Sequence, residues 1–189
     1  MTSRLPQKLR SDAEDNRDRI LASARTLFAT EGLTVPMREI ARHAGVGPAT
    51  LYRRFPTKQS LATEAFAEQV RACEAIVEQG LAVADPWQGF CLVIERLFEL
   101  HVRNRGFTDA FLATYPEAAD FAESRERAMR SVATLARRAK ADGQLRRDFE
   151  LADFVIMLTA HRGLRASTSA GRLAASRRFA ALAVRAFQA

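Results

Sequence analysis

The chain has 189 residues, 48% of them hydrophobic, and a formal net charge of +7. This hydrophobic content is enough for a packed core and excludes intrinsic disorder for most of the chain. No uninterrupted apolar run reaches the length of a membrane span, and the polar, charged residues 1–16 are unlike a signal peptide. We therefore expect a soluble protein of the cytoplasm.

The residue types needed for metal binding and for common enzyme chemistry form no recognisable pattern. Cys73 and Cys91 indicate neither a disulfide framework nor a zinc signature. The three histidines, His43, His101 and His161, are too dispersed to form a ligand cluster. The sequence also lacks a phosphate-binding loop, a dinucleotide fingerprint and a nucleophile elbow. We expect no metal, no cofactor and no enzymatic activity; a broad substrate panel would test the alternative.

The excess of positive charge lies mainly in the first third of the chain. Residues 1–60 contain 11 Lys and Arg against 6 Asp and Glu, a net charge of +5, whereas residues 61–189 have a net charge of +2. A small basic module indicates a polyanionic partner, either a nucleic acid or an anionic membrane surface, and we favour the nucleic acid. A charged surface that serves only solubility is the alternative.

The N-terminal third is predicted to contain an arm and three short helices. Residues 1–15 lack helical periodicity and predict a flexible arm. Apolar residues then recur at helical spacing in three segments, which are bounded by glycine and proline as is typical of helix ends. These segments run from Asn16 to Gly32, from Pro36 to Gly45, and from Pro48 to Phe55.

Longer helices are predicted over the rest of the chain. Thr57 suits an N-cap, and Asp85 followed by Pro86 suits the start of another helix. The predicted helices run from Thr57 to Gln79, from Asp85 to Gly106, from Pro116 to about Lys140, over 150–166 and over 172–187, with a short apolar piece from Phe107 to Tyr115. No segment shows strand alternation, so we expect an all-α fold of about nine helices.

The second and third segments, joined by a tight glycine turn, have the pattern of a helix-turn-helix. Gly45 suits the turn because one residue there must adopt positive φ or allow two backbones to approach closely. Leu51 and Phe55 lie four residues apart and are expected to face inward. The outward face of the third helix then carries Ala49, Thr50, Arg53 and Arg54.

The chemistry of that outward face suits duplex DNA. Small residues allow close approach to the major groove, and Arg53 and Arg54 can bond to guanine O6 and N7. The hydroxyls of Thr50 and Tyr52 suit phosphate oxygens, and Lys58 begins the next helix, where it can meet a phosphate. A solvated charged face, with Tyr52 partly packed in the core, is the alternative.

The most specific signal is the string from Ala44 to Lys58, which combines several unrelated constraints in one order. Together with the stripe from Ile20 to Phe28, it resembles the N-terminal DNA-binding domain of TetR-family transcriptional regulators over about residues 16–62. The resemblance implies a three-helix helix-turn-helix domain followed by a larger helical bundle that binds an effector and dimerises. It also implies DNA contacts at the positions that match the family's contacts: Arg38, Gly47, Pro48, Ala49, Thr50, Tyr52, Arg53, Arg54 and Lys58.

Two positions depart from the family's pattern. Arg54 stands where a histidine is common and keeps or strengthens phosphate binding. Ala49 stands where a glycine is common, and its methyl group can contact a thymine methyl or prevent a close approach. Arg4, Lys8 and Arg10 of the arm offer further DNA contacts, although we expect a solvated tail.

The segment 150–166 predicts a homodimer. A helix that is apolar on most of its circumference must be covered on all sides. One side can face the chain's own core and the other a second copy, with the helix over 172–187 beside it. Two such pairs form a four-helix interface, and a two-fold dimer places two recognition helices about one DNA turn apart. A monomeric bundle with a thick core is the alternative.

A ligand pocket is expected between the helices of the bundle. His101 and His161 each put a titratable group on an otherwise apolar stripe; a core histidine bonded to a backbone carbonyl is the alternative. Arg103, Arg105 and Arg162 lie near these stripes and can bind an acidic effector or face solvent. The candidate pocket residues, of which the apolar ones are equally typical of plain core, are Trp87, Phe98, His101, Phe107, Phe111, Met129, Met157 and His161.

These expectations combine into a ligand-responsive transcriptional regulator. Repression is the commonest mode in the family, so we expect a repressor that binds a pseudo-palindromic operator as a homodimer and is released by a small-molecule effector. Residues 1–15 form the arm, 16–60 bind DNA, and 61–189 bind the effector and dimerise. A nucleoid-type protein that binds DNA without sequence preference is the alternative, and the ratio of specific to non-specific affinity separates the two.

Overall fold

The computed structural model describes residues 5–104, 107 and 119–189, and the side chains of residues 14–104, 107 and 122–189 among them. Over this part of the chain the expected all-α fold is confirmed, with nine helices and one isolated bridge between Leu145 and Gln188. The helices are α1 (Leu5–Glu31), α2 (Met37–Ala44), α3 (Pro48–Arg54), α4 (Lys58–Ala65), α5 (Ala67–Ala82), α6 (Pro86–Arg103), α7 (Ala119–Ala141), α8 (Leu151–His161) and α9 (Ser169–Phe187). None of these described helices is both long and apolar enough to cross a membrane.

The first three helices pack around one small core, with α1 against α2 and α2 against α3. Gly32 and Gly45 follow α1 and α2 with φ of +78° and +65°, the left-handed region that a glycine adopts without a Cβ clash. The helix-turn-helix expected from the sequence is therefore present. All the residues that the periodicity predicts to be buried are buried: Ile20, Ala24, Leu27 and Phe28 of α1, Met37, Ile40, Ala41 and Ala44 of α2, and Leu51 and Phe55 at α3.

The first helix begins earlier than its apolar stripe. It starts at Leu5, whereas the periodicity starts at Asn16. Residues 5–15, which were expected to belong to a flexible arm, contain no glycine and are mostly good helix formers. Their one proline, Pro6, lies in the first turn, where a proline removes no helical hydrogen bond. Helix propensity alone can extend a helix where no apolar stripe exists, so periodicity located the buried part of α1 and missed its start.

The segment from Thr57 to Gln79, predicted as one helix, forms two helices that meet at Phe66. The backbone leaves helical values there, with φ −109° and ψ 8°. The buried ring of Phe66 lies between the rings of Phe28 and Phe107, with a centroid distance of 5.8 Å to each. Since α4 packs against α1, this junction separates a helix that accompanies the N-terminal core from the rest of the bundle.

Two glycines allow α5 and α6 to touch backbone to backbone. A Cβ atom on Gly89 would collide with the carbonyl oxygen of Gly80, and one on Gly80 would lie 2.9 Å from the carbonyl oxygen of Gly89. The sequence predicts Gly80 as a helix end, but it lies inside α5. A glycine is needed there because any side chain would collide with α6. α6 packs against α7 and α9 as well and forms the centre of the bundle.

An aromatic cluster fills the bundle around the start of α6. The Phe90 ring lies 6.0 Å from Trp87, 5.4 Å from Phe149 and 6.2 Å from Phe187. Each fully buried phenylalanine side chain stabilises the fold by about 1.5–3 kcal/mol. The Arg146 amide donates a hydrogen bond of 2.9 Å to the Phe187 carbonyl oxygen, which fixes the end of α9 to the loop before α8.

The last two helices differ from their predicted bounds. α8 ends at His161, short of the predicted 166, and α9 begins at Ser169. The polar segment before α9, predicted as a break, contains its cap: the Thr168 hydroxyl accepts a hydrogen bond of 3.0 Å from the Gly171 amide. Threonine at an N-cap satisfies an amide that the helix itself cannot pair, so the helix starts there.

The close contact between α5 and α6 predicts a strong effect of adding one methyl group. We expect Gly89→Ala to lower the free energy of unfolding by about 1–3 kcal/mol, because the new Cβ meets a backbone oxygen that cannot rotate away. Urea denaturation followed by circular dichroism measures the change. Gly47→Ala is the matched control, since a Cβ there meets nothing within 4 Å. Equal unfolding midpoints for the two variants would contradict the backbone contact.

Candidate nucleic-acid interface

The turn between α2 and α3 is held by backbone hydrogen bonds. The Gly45 amide donates to the Arg42 carbonyl oxygen at 3.2 Å, and the Val46 amide donates to the Ala41 carbonyl oxygen at 3.0 Å. The half-buried Val46 side chain packs against the core at the angle between the two helices. The turn thus fixes the direction in which α3 leaves α2.

The outward face of α3 is open. Leu51 and Phe55 are buried beneath it, as the spacing predicts. Tyr52 is 50% exposed rather than packed in the core. Thr50 is half-buried, so its hydroxyl lies at the edge of this face. The exposed residues at and around α3 are Gly47, Pro48, Ala49, Tyr52, Arg53 and Arg54.

The arginines of this surface differ in their ion pairing. Arg42 forms an ion pair with Glu39, and its hydrogen bond holds the pKa of the Glu39 carboxyl below the usual value. Arg38, Arg53 and Arg54 are exposed and take part in no ion pair with the side chains that the structure describes. Arg53 and Arg54 therefore have no counter-ion among the described side chains, and Arg38, which only adds to the field at Glu39, forms no ion pair, so all three guanidinium groups remain for phosphates or guanine edges.

Lys58 is positioned at the start of α4 by a capping box. The Thr57 hydroxyl accepts a hydrogen bond of 3.0 Å from the Ser60 amide, and the Ser60 hydroxyl accepts one of 3.3 Å from the Thr57 amide. The Lys58 ammonium donates to the Thr34 carbonyl oxygen at 3.4 Å. Because an ammonium has three donors, this bond leaves others for a phosphate.

The far end of α4 is attached to α1. Arg17 forms an ion pair with Glu64, and Arg25 Nη1 donates to the Ala65 carbonyl oxygen at 3.3 Å. α4 is therefore linked to α1 at its last turn and to the loop before α2 at its first. The N-terminal arm contributes no described contact here, since Arg4 and the side chains of Lys8 and Arg10 lie outside the described residues.

A second candidate site is a cavity between α5, α6, α7 and α8. Its volume is about 10 Å³, about the space of one water molecule. His101 and Met129, two of the predicted pocket residues, line this cavity. Its other lining residues are Cys73, Val77, Leu97, Ala128, Val132 and Leu158.

The other predicted pocket residues lie around or away from the cavity. The Phe98 ring stacks on His161 at 4.3 Å, and the His161 ring lies 6.3 Å from His101, so these two adjoin the cavity without lining it. Trp87 belongs to the aromatic cluster with Phe90. Phe107 packs against Phe66, Met157 is half-buried against the core, and Phe111 lies outside the described residues.

The two buried histidines are held in their neutral form. Burial, with smaller contributions from His161 and Arg162, lowers the pKa of His101 to about 3, and burial lowers the pKa of His161 to about 4. The His161 Nε2 atom lies 2.8 Å from the Ser176 hydroxyl, so its partner is a side chain rather than a backbone carbonyl. Neither imidazole is charged near neutral pH.

The aliphatic lining of the cavity was missed by the sequence reasoning. Cys73, Val77 and Leu97 follow ordinary core periodicity, and nothing in that pattern distinguishes a residue beside a cavity from one in solid packing. Among the predicted cations near the site, Arg103 is exposed and Arg105 lies outside the described residues. No group of three or more His, Cys, Asp and Glu side chains in the described part of the chain is placed to hold a metal ion.

Comparison with known proteins gives a sequence match for the N-terminal part of the chain and a shared fold for the rest. The sequence profile described as "Bacterial regulatory proteins, tetR family" matches residues 20–65. An HTH-type transcriptional regulator of Staphylococcus aureus (strain USA300) is 44% identical over 54 residues. That match spans 28% of this chain and 29% of the length of the relative. The sequence likeness therefore concerns α1 to α4.

Solved structures extend the likeness to the whole fold. The TetR family transcriptional regulator PfmR from Thermus thermophilus superposes with a TM-score of 0.69 at 22% identity, over 88% of this chain and 97% of its own. A gamma-butyrolactone receptor described as an ArpA-like protein superposes with a TM-score of 0.65 at 19% identity, over 93% and 99%. At these identities the likeness shows a shared fold. These relatives are described as regulators or a receptor rather than as enzymes. Residues 20–65 of the chain match the N-terminal domain of the tetR family of bacterial regulatory proteins, and the fold as a whole is the one that its solved members share.

Proposed function

We propose that the chain is a DNA-binding transcriptional repressor that acts as a homodimer on a pseudo-palindromic operator. The observation that carries this proposal is the outward face of α3. There Arg53 and Arg54 are exposed without a described counter-ion, on a helix that the glycine turn holds away from α2. Arg38 and Lys58 flank the face and supply positions for phosphates. The same residues match the family's DNA-contacting positions.

The uncovered side of α8 supports the homodimer. Ile156 is 63% exposed and Val155 is 39% exposed. The described part of this chain therefore leaves one apolar side of α8 uncovered. The exposed residues of α8, a helix described along its whole length, are Ala152, Val155, Ile156, Thr159 and Ala160, and none of them is charged. Leu182 of α9 is 47% exposed. An uncharged face with exposed β-branched residues suits a second copy of the chain.

The attachment of α4 supports a response to an effector. α4 is bonded to α1 by Arg25 and begins at Lys58, beside the DNA-binding face. α7, which lines the cavity, packs against both α4 and α5. We propose that an effector in the C-terminal helices favours a state in which α4 tilts and the two recognition helices no longer match the groove spacing. In this scheme residues 16–60 bind DNA and residues 61–189 bind the effector and dimerise.

Selection of bound sequences from a random DNA pool tests the proposal as a whole. We expect enrichment of one motif with two-fold symmetry and half-sites about one helical turn apart. Recovery of unrelated sequences with uniform affinity would instead support a nucleoid-type binder. Enrichment of a single unpaired half-site would contradict the homodimer while keeping sequence-specific binding.

Arg53 and Lys58 are expected to contribute in different ways to DNA binding. Arg53→Ala removes a base contact, so we expect affinity for the selected operator to fall about tenfold or more while affinity for random DNA changes little. Lys58→Ala removes a phosphate contact, so all sequences are expected to weaken alike and the salt dependence of log K to decrease by about one. Fluorescence anisotropy at several salt concentrations measures both effects.

Arg71→Ala is the matched charge control for these two variants. Arg71 is exposed on α5, outside the helix-turn-helix, and its removal changes the net charge by the same amount. We expect its operator affinity and salt dependence to equal those of the unmodified chain. Identical effects of Arg53→Ala and Lys58→Ala on every sequence would show that Arg53 does not read bases.

Ile156→Glu is expected to disrupt the homodimer, because a carboxylate at an apolar interface loses its hydration without gaining a partner. Sedimentation velocity measures the fraction of dimer, and operator affinity is expected to decrease with it. Ala75→Glu adds the same charge at an exposed position of α5 and serves as the control. A dimer fraction that Ile156→Glu leaves unchanged would locate the interface elsewhere.

A further inference from the structure

His101 gives the cavity between α5 and α8 a chemical character that ordinary core packing lacks. Its side chain is only 4% exposed, yet its Nδ1 atom has no hydrogen-bond partner among the described residues. His161 Nδ1 is likewise without a described partner, but His161 does not line the cavity and its other ring nitrogen faces Ser176. A buried polar atom without a partner destabilises the folded chain, so a bound molecule that forms a hydrogen bond to His101 Nδ1 would offset that cost.

The rest of the lining defines what can bind there. Beside the His101 imidazole, only the Cys73 thiol and the Met129 thioether interrupt a hydrocarbon surface. The lining contains no Lys, Arg, Asp or Glu. Burial keeps the pKa of His101 near 3, so the imidazole is neutral and supplies no charge either. A charged molecule would therefore lose its hydration without meeting a counter-ion in the lining.

We propose that this cavity is the effector site and that it selects an uncharged, mainly apolar molecule whose single hydroxyl or amide group bonds to His101 Nδ1. This inference rests on the proposed ligand response and deepens it by naming the class of effector. Of the three arginines that could bind an acidic effector, Arg103 and Arg162 do not line the cavity, and Arg105 lies outside the described residues.

Binding must enlarge the cavity, because about 10 Å³ holds no more than a water molecule. Met129 supplies a means: its unbranched side chain has several rotatable bonds and is only half-buried. It projects from α7, which packs against α4 as well as against α5 and α6. A ligand that displaces α7 from α5 therefore acts on a helix that contacts the DNA-binding side of the molecule.

Four probes with the same eight-carbon chain test the proposed class. Octanol and octanamide are neutral and can bond to an imidazole, whereas octanoate and octylammonium carry opposite charges near neutral pH. We expect calorimetric titration of the full chain to show that both neutral probes bind, each at least about tenfold tighter than either charged probe. Octanoate or octylammonium binding as tightly as octanol would overturn the proposal, as would the binding of none of the four.

His101→Leu separates a ligand-binding histidine from a structural one. We expect it to weaken octanol and octanamide about tenfold, because their polar group loses its partner. We also expect its melting temperature to equal or exceed that of the unmodified chain, since the removed Nδ1 atom has no described partner. His43→Leu, at an exposed position of α2, is the matched control and is expected to change neither property. Unchanged affinity in His101→Leu would contradict the assignment.

Ala128→Leu provides a second variant that does not depend on the imidazole. Ala128 lines the cavity from α7, so the larger side chain fills the space that the probe needs. We expect loss of octanol binding with operator binding retained. Octanol binding equal to that of the unmodified chain would place the ligand elsewhere. The titrations measure ligand binding directly. If none of the probes binds while the selected operator still does, the proposed effector site is wrong and the proposed DNA-binding function stands.

Discussion

α6 buries residues from its first turn to His101, because α5, α7 and α9 all pack against it. At its first turns Gly89 meets the backbone of α5 directly, and near its last turn His101 faces the small cavity. One end of α6 thus makes a direct backbone contact with its neighbour, whereas the other end carries a buried imidazole nitrogen without a described hydrogen-bond partner. A single central helix therefore carries both the backbone contact with α5 and one wall of the cavity that we propose as the effector site.

Charged side chains are also distributed differently between the N-terminal helices and the interior of the bundle. On the DNA-binding side, guanidinium groups are exposed without described counter-ions, and the only paired arginine of α2 is Arg42. Inside the bundle the reverse holds, since His101 and His161 are kept neutral by burial. Charge is thus kept where solvent and phosphates can balance it and is excluded from the cavity. This separation suits the two proposed contacts, with a polyanion at one end of the chain and with an apolar ligand at the other.

The sequence predicts the helix-turn-helix almost completely and the bundle only in outline. Gly45 and the Leu51–Phe55 spacing are local signals, because a positive φ and a four-residue repeat depend on neighbouring residues alone. The role of Gly80 depends on a glycine of another helix, and the break at Phe66 depends on rings from α1 and from residue 107. Periodicity contains no such long-range information. For the same reason it cannot separate the cavity-lining Met129 from Trp87, which belongs to an aromatic cluster.

The bonds of α4 at both of its ends couple a rotation at Phe66 to a displacement at the start of α4, beside the DNA-binding face. Arg25 and Arg17 bind the last turn of α4, and Lys58 binds its first turn to the loop before α2, while the chain bends at Phe66. Eight residues of helix span about 12 Å, so a rotation of roughly 10° about Phe66 would move the start of α4 by about 2 Å. Hydrogen bonds to base edges tolerate only a few tenths of an ångström. In the proposed response to an effector, a small rotation of α4 would therefore be enough to disengage the recognition helix, without a large rearrangement.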